Sequence, residues 1–452
     1  MGKRAAIILA AGQGTRMRSA LPKVLHGVGG RPMIDWSVAL AHEVGCERII
    51  VVCSPGGASV QEHVSSTLGP DAIAIQDPPL GTGHAVLAAQ EALADFDGEL
   101  VVLYGDTPLI PSQAVEDLFG ELSGGAAVGA LGFDAAEPGA YGRLITGANG
   151  DLDAIVEAKE ASPEQLAVRF CNSGVMAASA AVMFDLLSKV TNDNAKGEYY
   201  LTDIVALART AGQKCRAVSC DEADVLGVNS RVELAQAEHA FQAKRRQQLL
   251  VEGVTMTAPE TVFFSYDTLI ENDVILEPNV VFGPGVTVRS GAQIRAFCHL
   301  EGAEVSAGCV IGPYARLRPG AVLEESVKIG NFVEVKKTRM GKGAKANHLA
   351  YLGDGEVGAG ANIGAGTIFC NYDGFLKYQT VVGENAFVGS NSSLVAPVTI
   401  GDGAFIGSGS VVTKDVEANA LAVARGRQIQ KSGWGTSFRD RMAAIKAAKK
   451  KG

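Results

Sequence analysis

Along the second half of the chain, aliphatic residues recur at every sixth position. Val382, Val388, Leu394, Ile400, Ile406 and Val412 form one run, and Gly383, Gly389, Gly401 and Gly407 directly follow four of them. The same step carries Ile270, Leu276, Phe282, Val288, Ile294 and Leu300, then slips by one residue. It resumes through Val305, Ile311, Leu317, Leu323, Ile329 and Val335, with Val357 and Ile363 further on. A period of six matches neither the 3.6 of a helix nor the two of a hairpin strand. It predicts a parallel β-helix of hexapeptide repeats, in which each hexad forms one short face and its aliphatic stacks into a continuous core. Lys336 to Tyr351 and Asn371 to Thr380 depart from the hexad. Both are expected to be loops leaving a rigid scaffold, where chemistry tends to sit.

The first half follows another rule. Ala5–Leu9, Arg48–Val52, Ile73–Ile75 and Glu99–Leu103 are apolar runs that read as buried strands. Pro32 to Val44 and His84 to Leu93 carry helical patterns between them, which together predict an α/β domain. Ser230 followed three residues later by Glu233 has the form of a capping box and opens a helix to about Leu250. The expected division is therefore an α/β domain over 1–228, a linker helix over 229–250, a β-helix over 251–427 and a tail over 428–452.

Composition narrows the class without changing this picture. A chain of 452 residues with 47% hydrophobic residues, 20% charged residues and a net charge of −9 reads as a globular protein, not a general polyanion binder. No nucleic-acid partner is expected. Lys446 and Lys449–Lys450–Lys451 make a short basic tail, read as solvated and disordered or as a contact for a phosphate-bearing ligand. Eight cysteines without a C-x-x-C pair suggest reduced thiols in a cytosolic protein. Lys3–Arg4 and the apolar run that ends at Ala11 imitate a signal peptide, but the run is too short and lacks a cleavage site. No later run is long enough to span a bilayer, and the reading is cytoplasmic.

Two groups of residues carry candidate chemistry. The first is the loop after the first strand, Leu9–Ala10–Ala11–Gly12–Gln13–Gly14–Thr15–Arg16–Met17. Its glycines let backbone amides approach an anion, and Arg16 adds a fork of donors. Met17 stands where a dinucleotide fingerprint has its third glycine, and no Walker lysine follows. Taken alone, the loop serves equally as a tight turn. Pro22–Lys23 adds a second cation. The strand Val101–Tyr104 ends in Gly105–Asp106, placing a carboxylate where α/β sheets bind ligands and where it can hold Mg²⁺ or merely cap the strand. Asn229, beside the capping serine, has the same two readings.

The second group surrounds the two departures from the hexad: Arg318, Lys336, His348, Tyr351, Asn362, Asn371–Tyr372, Lys377 and Ser390. Acyl transfer to an amine requires the amine to lose a proton as it attacks, and histidine is the side chain best poised for that near neutral pH. A backbone N–H in a tight turn suits the oxyanion, and lysines suit a phosphate. A lone histidine in a loop is more often a surface or satisfied residue.

The motifs resemble a known family when taken in order. Leu9–Met17 with Pro22–Lys23 is similar to the signature of sugar-1-phosphate nucleotidyltransferases. Gln76, Leu80–Gly81–Thr82–Gly83–His84, Tyr104–Gly105–Asp106, Tyr141–Gly142–Arg143, Ile155–Val156–Glu157, Asn172–Ser173–Gly174, Glu198–Asp203 and Val228–Asn229 extend the likeness. So do Gly330–Lys337, His348–Asp354, Asn362–Gly366 and Cys370–Gly374. The whole chain except its tail resembles the bacterial bifunctional N-acetylglucosamine-1-phosphate uridylyltransferase/glucosamine-1-phosphate acetyltransferase family.

That resemblance implies a Rossmann-like nucleotidyltransferase domain with a mixed sheet, joined by a helix to a left-handed β-helix. It implies Arg16 and Lys23 on the UTP phosphates, with Leu9, Ala10, Ala11, Gly12, Gly14, Tyr104 and Gly105 around the nucleotide sugar. Gln76, Gly81 and Thr82 would read the uracil. Gly142, Glu157 and Asn172 would hold N-acetylglucosamine, and Asp106 with Asn229 would hold Mg²⁺. In the second half His348 would be the general base, and Arg318, Lys336, Tyr351, Asn362 and Lys377 would contact glucosamine-1-phosphate. Asn371, Tyr372, Ser390, Ser408 and Arg425 would line the acetyl-CoA site. The implied assembly is a homotrimer with acetyltransferase sites between subunits. Gln13 is assigned no contact. One departure is Asn347, where the family pattern favours a small residue, often glycine. The rival reading keeps the nucleotidyltransferase and makes the β-helix an oligomerisation scaffold.

Overall fold

The computed structural model describes residues 2–12 and 14–449. Gln13 of the glycine loop, and Lys450 and Lys451 of the basic tail, lie outside the described residues. The chain divides into two compact units. One ends at Val251 and takes in Phe263–Asp267; the other comprises Glu252–Val262 and the chain from Thr268 on.

The first unit is built on a mixed nine-stranded sheet. Its strands are β1 (Arg4–Leu9), β2 (Arg48–Cys53), β3 (Ile73–Ile75), β4 (Glu99–Tyr104), β5 (Val128–Asp134), β6 (Arg143–Thr146), β7 (Leu152–Val156), β8 (Phe170–Ser179) and β9 (Cys215–Cys220). They lie in the order β9-β5-β8-β4-β1-β2-β3, and the β6–β7 hairpin is attached through β8. β1 is parallel to β2 and β4, whereas β8 runs antiparallel between β4 and β5. Both faces are covered, which explains why the interiors of β1, β2 and β4 are apolar without alternation. Ala6, Ile8, Val101 and Leu103 face a core shared with α1 (Met33–Glu43), α2 (Ala58–Leu68) and α4 (Ser112–Ser123). Ala5, Ile7, Leu100 and Val102 face the opposite core with α3 (Thr82–Leu87), α5 (Ala180–Leu187) and α6 (Asp203–Thr210).

Helix α3 is shorter than the pattern predicts. After Leu87 the backbone tightens into i→i+3 bonds, Ala89 N–H to Val86 and Gln90 N–H to Leu87, and a 3₁₀ turn at Glu91–Leu93 completes the segment. Helix α7 (Arg231–Val251) starts after Ser230, whose Oγ accepts the Glu233 N–H at 3.3 Å. The returning half of the box is displaced: the Glu233 carboxylate accepts the Asn229 N–H at 2.8 Å. Glu233 thereby fixes Asn229, a candidate metal ligand.

In the second unit, short strands stack in parallel into three faces. Partners on successive coils are mostly 17 or 18 residues apart, as in the Asn331–His348 and Glu271–Arg289 contacts, and the spacing widens across the loop after Cys370, where Asn362 pairs with Phe387. Every aliphatic of the hexad series points inward and is buried, from Ile270 to Val412. The first departure from the hexad is not a loop. Glu334–Met340, Lys345–His348 and Tyr351–Val357 are strands paired above and below, and the buried series continues through Met340, Ala346 and Leu352. Five-residue steps and an inward alanine hide the repeat there. Only the segment after Cys370 leaves the coil, as a loop held by a Tyr372–Lys377 bridge before pairing resumes at Thr380. The tail also differs from expectation: Trp434–Lys449 forms a helix, α8, with no buried residue.

Candidate active sites

The strand order reverses between β1 and β4, where the Leu9 and Tyr104 ends are direct neighbours. Ligands in open α/β sheets sit beyond the carboxyl ends of strands at such a switch point. A cleft of about 300 Å³ opens there. It is lined by Leu9, Ala10, Ala11, Gly12, Lys23, Gln76, Gly81, Thr82, Tyr104, Asp106 and Glu198, among others. Ten of these eleven carry a contact in the sequence reading; Glu198, there only the first residue of the Glu198–Asp203 motif, gains one here.

At one side of this cleft the Lys23 ammonium donates to Asp106 Oδ2 at 2.5 Å and to Asn229 Oδ1 at 2.9 Å. The three residues are remote in sequence, and the fold joins them by a Val228 N–H bond to the Asp106 carbonyl at 2.9 Å. Asp106 and Asn229 therefore form an oxygen pair already holding a cationic group. That donor set fits a hard divalent ion, which takes one or two protein oxygens and completes its shell with phosphate and water. Gly14 is required beside them. Its φ is +60°, and a Cβ there would stand 2.6 Å from Lys23 Cβ. Arg16 follows in an exposed single turn, Thr15–Met17, anchored by buried Met17.

The opposite wall is set by two chain segments zipped together. Tyr199 N–H bonds the Leu80 carbonyl, Gly83 N–H bonds the Tyr199 carbonyl, and Leu201 N–H bonds Thr82 Oγ1. Gly81, with φ +109°, lies so close that a Cβ would meet the Tyr199 carbonyl oxygen at 2.7 Å. Buried Gln76 donates through Nε2 to the Gly81 carbonyl at 2.9 Å, which orients its carboxamide. Further along, Gly142, Glu157 and Asn172 come together: Asn172 N–H bonds the Gly142 carbonyl at 2.8 Å, and the Gly142 Cα faces the Glu157 carboxylate. Burial raises the Glu157 carboxyl above its usual range, and Asp203 is pushed up to about 6 by burial and by the nearby Glu160 and Glu157. Tyr104 connects the two parts; burial first, then the Asp106 and Glu157 carboxylates, raises its phenol.

In the β-helix, Arg318, Lys336 and Gly353 follow one another on adjacent coils. Arg318 donates to Glu334 at 2.8 Å, a partner that sequence reasoning missed. Lys377, returning from the loop, reaches Lys336, and this second cation beside it lowers the Lys336 ammonium's pKa, assisted by partial desolvation. Lysines held side by side next to Arg318 form a site suited to an anion of more than one charge. Asn371 is buried and donates to Asp354 at 2.5 Å and to the Tyr351 hydroxyl at 3.5 Å. It thus braces Tyr351, whereas Tyr372 is exposed with its hydroxyl on the Gly374 carbonyl. Ser390 accepts the Gly409 N–H through its carbonyl, and Arg425 donates to the Ser408 carbonyl at 2.8 Å.

His348 ends a strand of a different face, in register with Asn331, and is exposed. It is not on a loop. The recess beside it, about 250 Å³, is lined by Arg295, Lys328, Gly330, Asn331 and Asn347, among others, and does not include Arg318, Lys336, Tyr351 or Lys377. Asn362 lies on the face that carries His348, paired with Lys345 and Phe387. Asn347 lies within the Lys345–His348 strand and is not in the left-handed region, so its position places no demand for glycine.

The fold and its two sites define a two-headed transferase: a nucleotidyltransferase on the mixed sheet and an acyltransferase on hexapeptide coils. Comparison with known proteins narrows this class. Residues 6–166 match the MobA-like NTP transferase domain, and residues 379–414 match the bacterial transferase hexapeptide of six repeats. The chain is 65% identical to the bifunctional protein GlmU of Hyphomonas neptunium, over 99% of this chain and 97% of that protein. It is 58% identical to that of Caulobacter vibrioides, over 99% and 96%, and 53% identical to that of a Ruegeria species, over 99% of both. The chain belongs to the GlmU family of bifunctional transferases, and its second half is the family's left-handed β-helix.

Proposed function

We propose that the chain acetylates glucosamine-1-phosphate with acetyl-CoA on its β-helix and then joins the product to UMP from UTP on its α/β half. The products are UDP-N-acetylglucosamine, a cell-wall precursor, and pyrophosphate. The observation that carries the reading is the pair of cation-rich sites: Lys23 with Asp106 and Asn229 in one half, and Arg318 with Lys336 and Lys377 in the other. The working units are the α/β domain over 1–228, the connecting helix and the β-helix over 251–427.

In uridylyl transfer the attacking group is a sugar phosphate, already an anion, so no general base is needed. Alignment and charge neutralisation at the α-phosphorus suffice. Mg²⁺ held by Asp106 and Asn229 supplies charge neutralisation on the phosphates when bound. Lys23 and Arg16 would hold the phosphates with their cationic groups. Gln76, Gly81 and Thr82 form the uracil wall, and Gly142, Glu157 and Asn172 the sugar wall.

In acetyl transfer the amine nitrogen forms a bond to the thioester carbonyl carbon and loses a proton to His348. The carbon–sulfur bond breaks, and the departing thiolate takes that proton. Arg318, Lys336 and Lys377 hold the sugar phosphate; Tyr351 and Asn362 contact the sugar. Tyr372, Ser390, Ser408 and Arg425 form the acetyl-CoA side, with Asn371 bracing it.

His348 and the cation cluster lie on different faces of the β-helix, so a closed site needs a second surface. Phe297, Tyr314 and Phe332 stack as an exposed ladder at a corner of the coil, continued by exposed Leu349. An apolar stripe of this kind supports a homotrimer, with each acetyltransferase site completed by a neighbour. Among the described residues no helix is long and apolar enough to cross a membrane, and we place the enzyme in the cytoplasm on its reduced cysteines.

The test is a paired assay with glucosamine-1-phosphate, acetyl-CoA, UTP and Mg²⁺, omitting one component at a time. Free thiol should appear without UTP, and pyrophosphate only with an acetylated sugar phosphate and the metal. Pyrophosphate without thiol would reduce the β-helix to a scaffold.

A further inference from the structure

The motif Gly330–Asn331–Phe332 helps to identify the acetyltransferase half, yet the mechanism above gives Asn331 no task. Its side chain is half-buried beside the imidazole, and Asn331 Oδ1 lies 2.8 Å from His348 Nδ1. We propose that Asn331 is the positioning residue of the acetyl-transfer base. Its amide oxygen takes the Nδ1–H of His348 and leaves Nε2 as the proton acceptor. The proposal rests on the reading of His348 as that base.

The backbone fixes this contact from both sides. Asn331 and His348 are register partners in parallel strands on consecutive coils. Gly330 permits their close approach, because a Cβ there would collide with the Asn347 carbonyl. Phe332, at φ +57°, turns the chain directly after Asn331 and stacks on Tyr314. Leu349, at φ +48°, makes the same turn directly after His348. The two side chains thus leave equivalent corners of adjacent coils and meet.

The chemistry follows from the tautomer. A neutral imidazole accepts a proton at only one nitrogen, the one without hydrogen, and which one is decided by the partner of the other. An acceptor on Nδ1 keeps the hydrogen there and presents the Nε2 lone pair to the amine. For metal-bound histidines, removing the polar group that orients the ring typically costs about 10-fold to 100-fold in activity, and a loss toward the lower end is expected for a base that holds no metal. An exposed imidazole without such a partner spreads over both tautomers and several ring orientations, and only part of that population is competent.

The experiment reads the tautomer directly. In full-length protein labelled with ¹⁵N-histidine, His348 signals are assigned by difference from His348→Ala and recorded above the imidazole titration. The wild type should show protonated Nδ1 and unprotonated Nε2. Asn331→Leu should mix the tautomers and lower kcat for thiol release about 10-fold, with KM for both substrates and uridylyl transfer nearly unchanged. Asn331→Asp, which retains the acceptor, should restore the wild-type signals and most of kcat. A wild-type Nε2–H signal, or an Asn331→Leu protein with unchanged spectrum and kcat, overturns the proposal. If the spectra behave as expected but His348→Ala still releases thiol, the base assignment falls and the pairing stands. Retained uridylyl transfer shows that the Asn331→Leu chain is folded, and Asn331→Asp separates loss of the acceptor from altered packing.

Discussion

In the α/β half, the groups that meet at the metal position, Lys23, Asp106 and Asn229, are 83 and 206 residues apart in sequence. In the β-helix, Asn331 and His348 meet across 17. The first site is assembled by topology: strand order brings Leu9 beside Tyr104, and one backbone bond from Val228 draws in the third group. The second is assembled by repetition, each coil adding one side chain to a column. A site of the first kind depends on a few long-range contacts. A site of the second kind depends on adjacent coils staying in register.

The sharpest way to break this comparison is to silence one site at a time. His348→Ala should lower thiol release by about 10²-fold to 10⁴-fold and leave pyrophosphate release from supplied N-acetylglucosamine-1-phosphate intact. Lys23→Met should do the reverse, lowering uridylyl transfer by about 10²-fold to 10³-fold. It should also tighten Mn²⁺ binding to the free protein, because the resident ammonium no longer competes for Asp106 and Asn229. Loss of both activities in either protein would refute two independent sites.

Packing changes come next. Ile294→Ala removes an inward aliphatic and should cost about 2–5 kcal/mol of β-helix stability, read by denaturation. Ala346→Leu overfills an inward position and should cost about 1–3 kcal/mol. In the α/β half, Gly14→Ala forces an alanine to φ +60° against Lys23. About 1–2 kcal/mol of local strain is expected, seen as a roughly 10-fold fall in uridylyl kcat/KM corresponding to that energy, with acetyl transfer unaffected.

The smallest effect concerns pH. Lys336 titrates below the ordinary lysine range because Lys377 stands beside it, with Arg318 acting in the same direction and Asp354 opposing. Its charged form, which binds phosphate, is complete below that lowered pKa and lost as pH rises through it. KM for glucosamine-1-phosphate should therefore climb on the alkaline side, and Lys377→Met should move the climb to higher pH.

Much of the β-helix is legible in sequence because a buried aliphatic every sixth residue is a local signal that needs no partner. The signal fails where Met340 follows Val335 after five residues and where Ala346 is too small to register as core. Those lapses make a continuous run of coil look like a loop and place His348 on the wrong kind of element. The nucleotide cleft is legible through its glycine loop and its terminal Asp106. The Lys23 bridge to Asp106 and Asn229 is not, because nothing local announces a contact across 206 residues. Glu334 and Asn331 are hidden for a milder reason, since their partners lie one coil away and polar residues carry no period. The tail helix shows the opposite failure: a basic composition suggests disorder, while its alanine content favours a helix.

One feature of the coil bears on how such proteins diversify. Along one face the paired positions run Lys345, Asn362, Phe387 and Phe405, so the interval widens once, at the corner that carries the Tyr372–Lys377 bridge. The ladder on either side keeps its alignment, with Ile363 still against Val388. A solenoid corner can therefore absorb extra residues for little more than loop-closure entropy, which grows slowly with length. Insertions and deletions at that corner are therefore expected to be tolerated, whereas a one-residue change inside a face would turn that face's side chains from inside to outside.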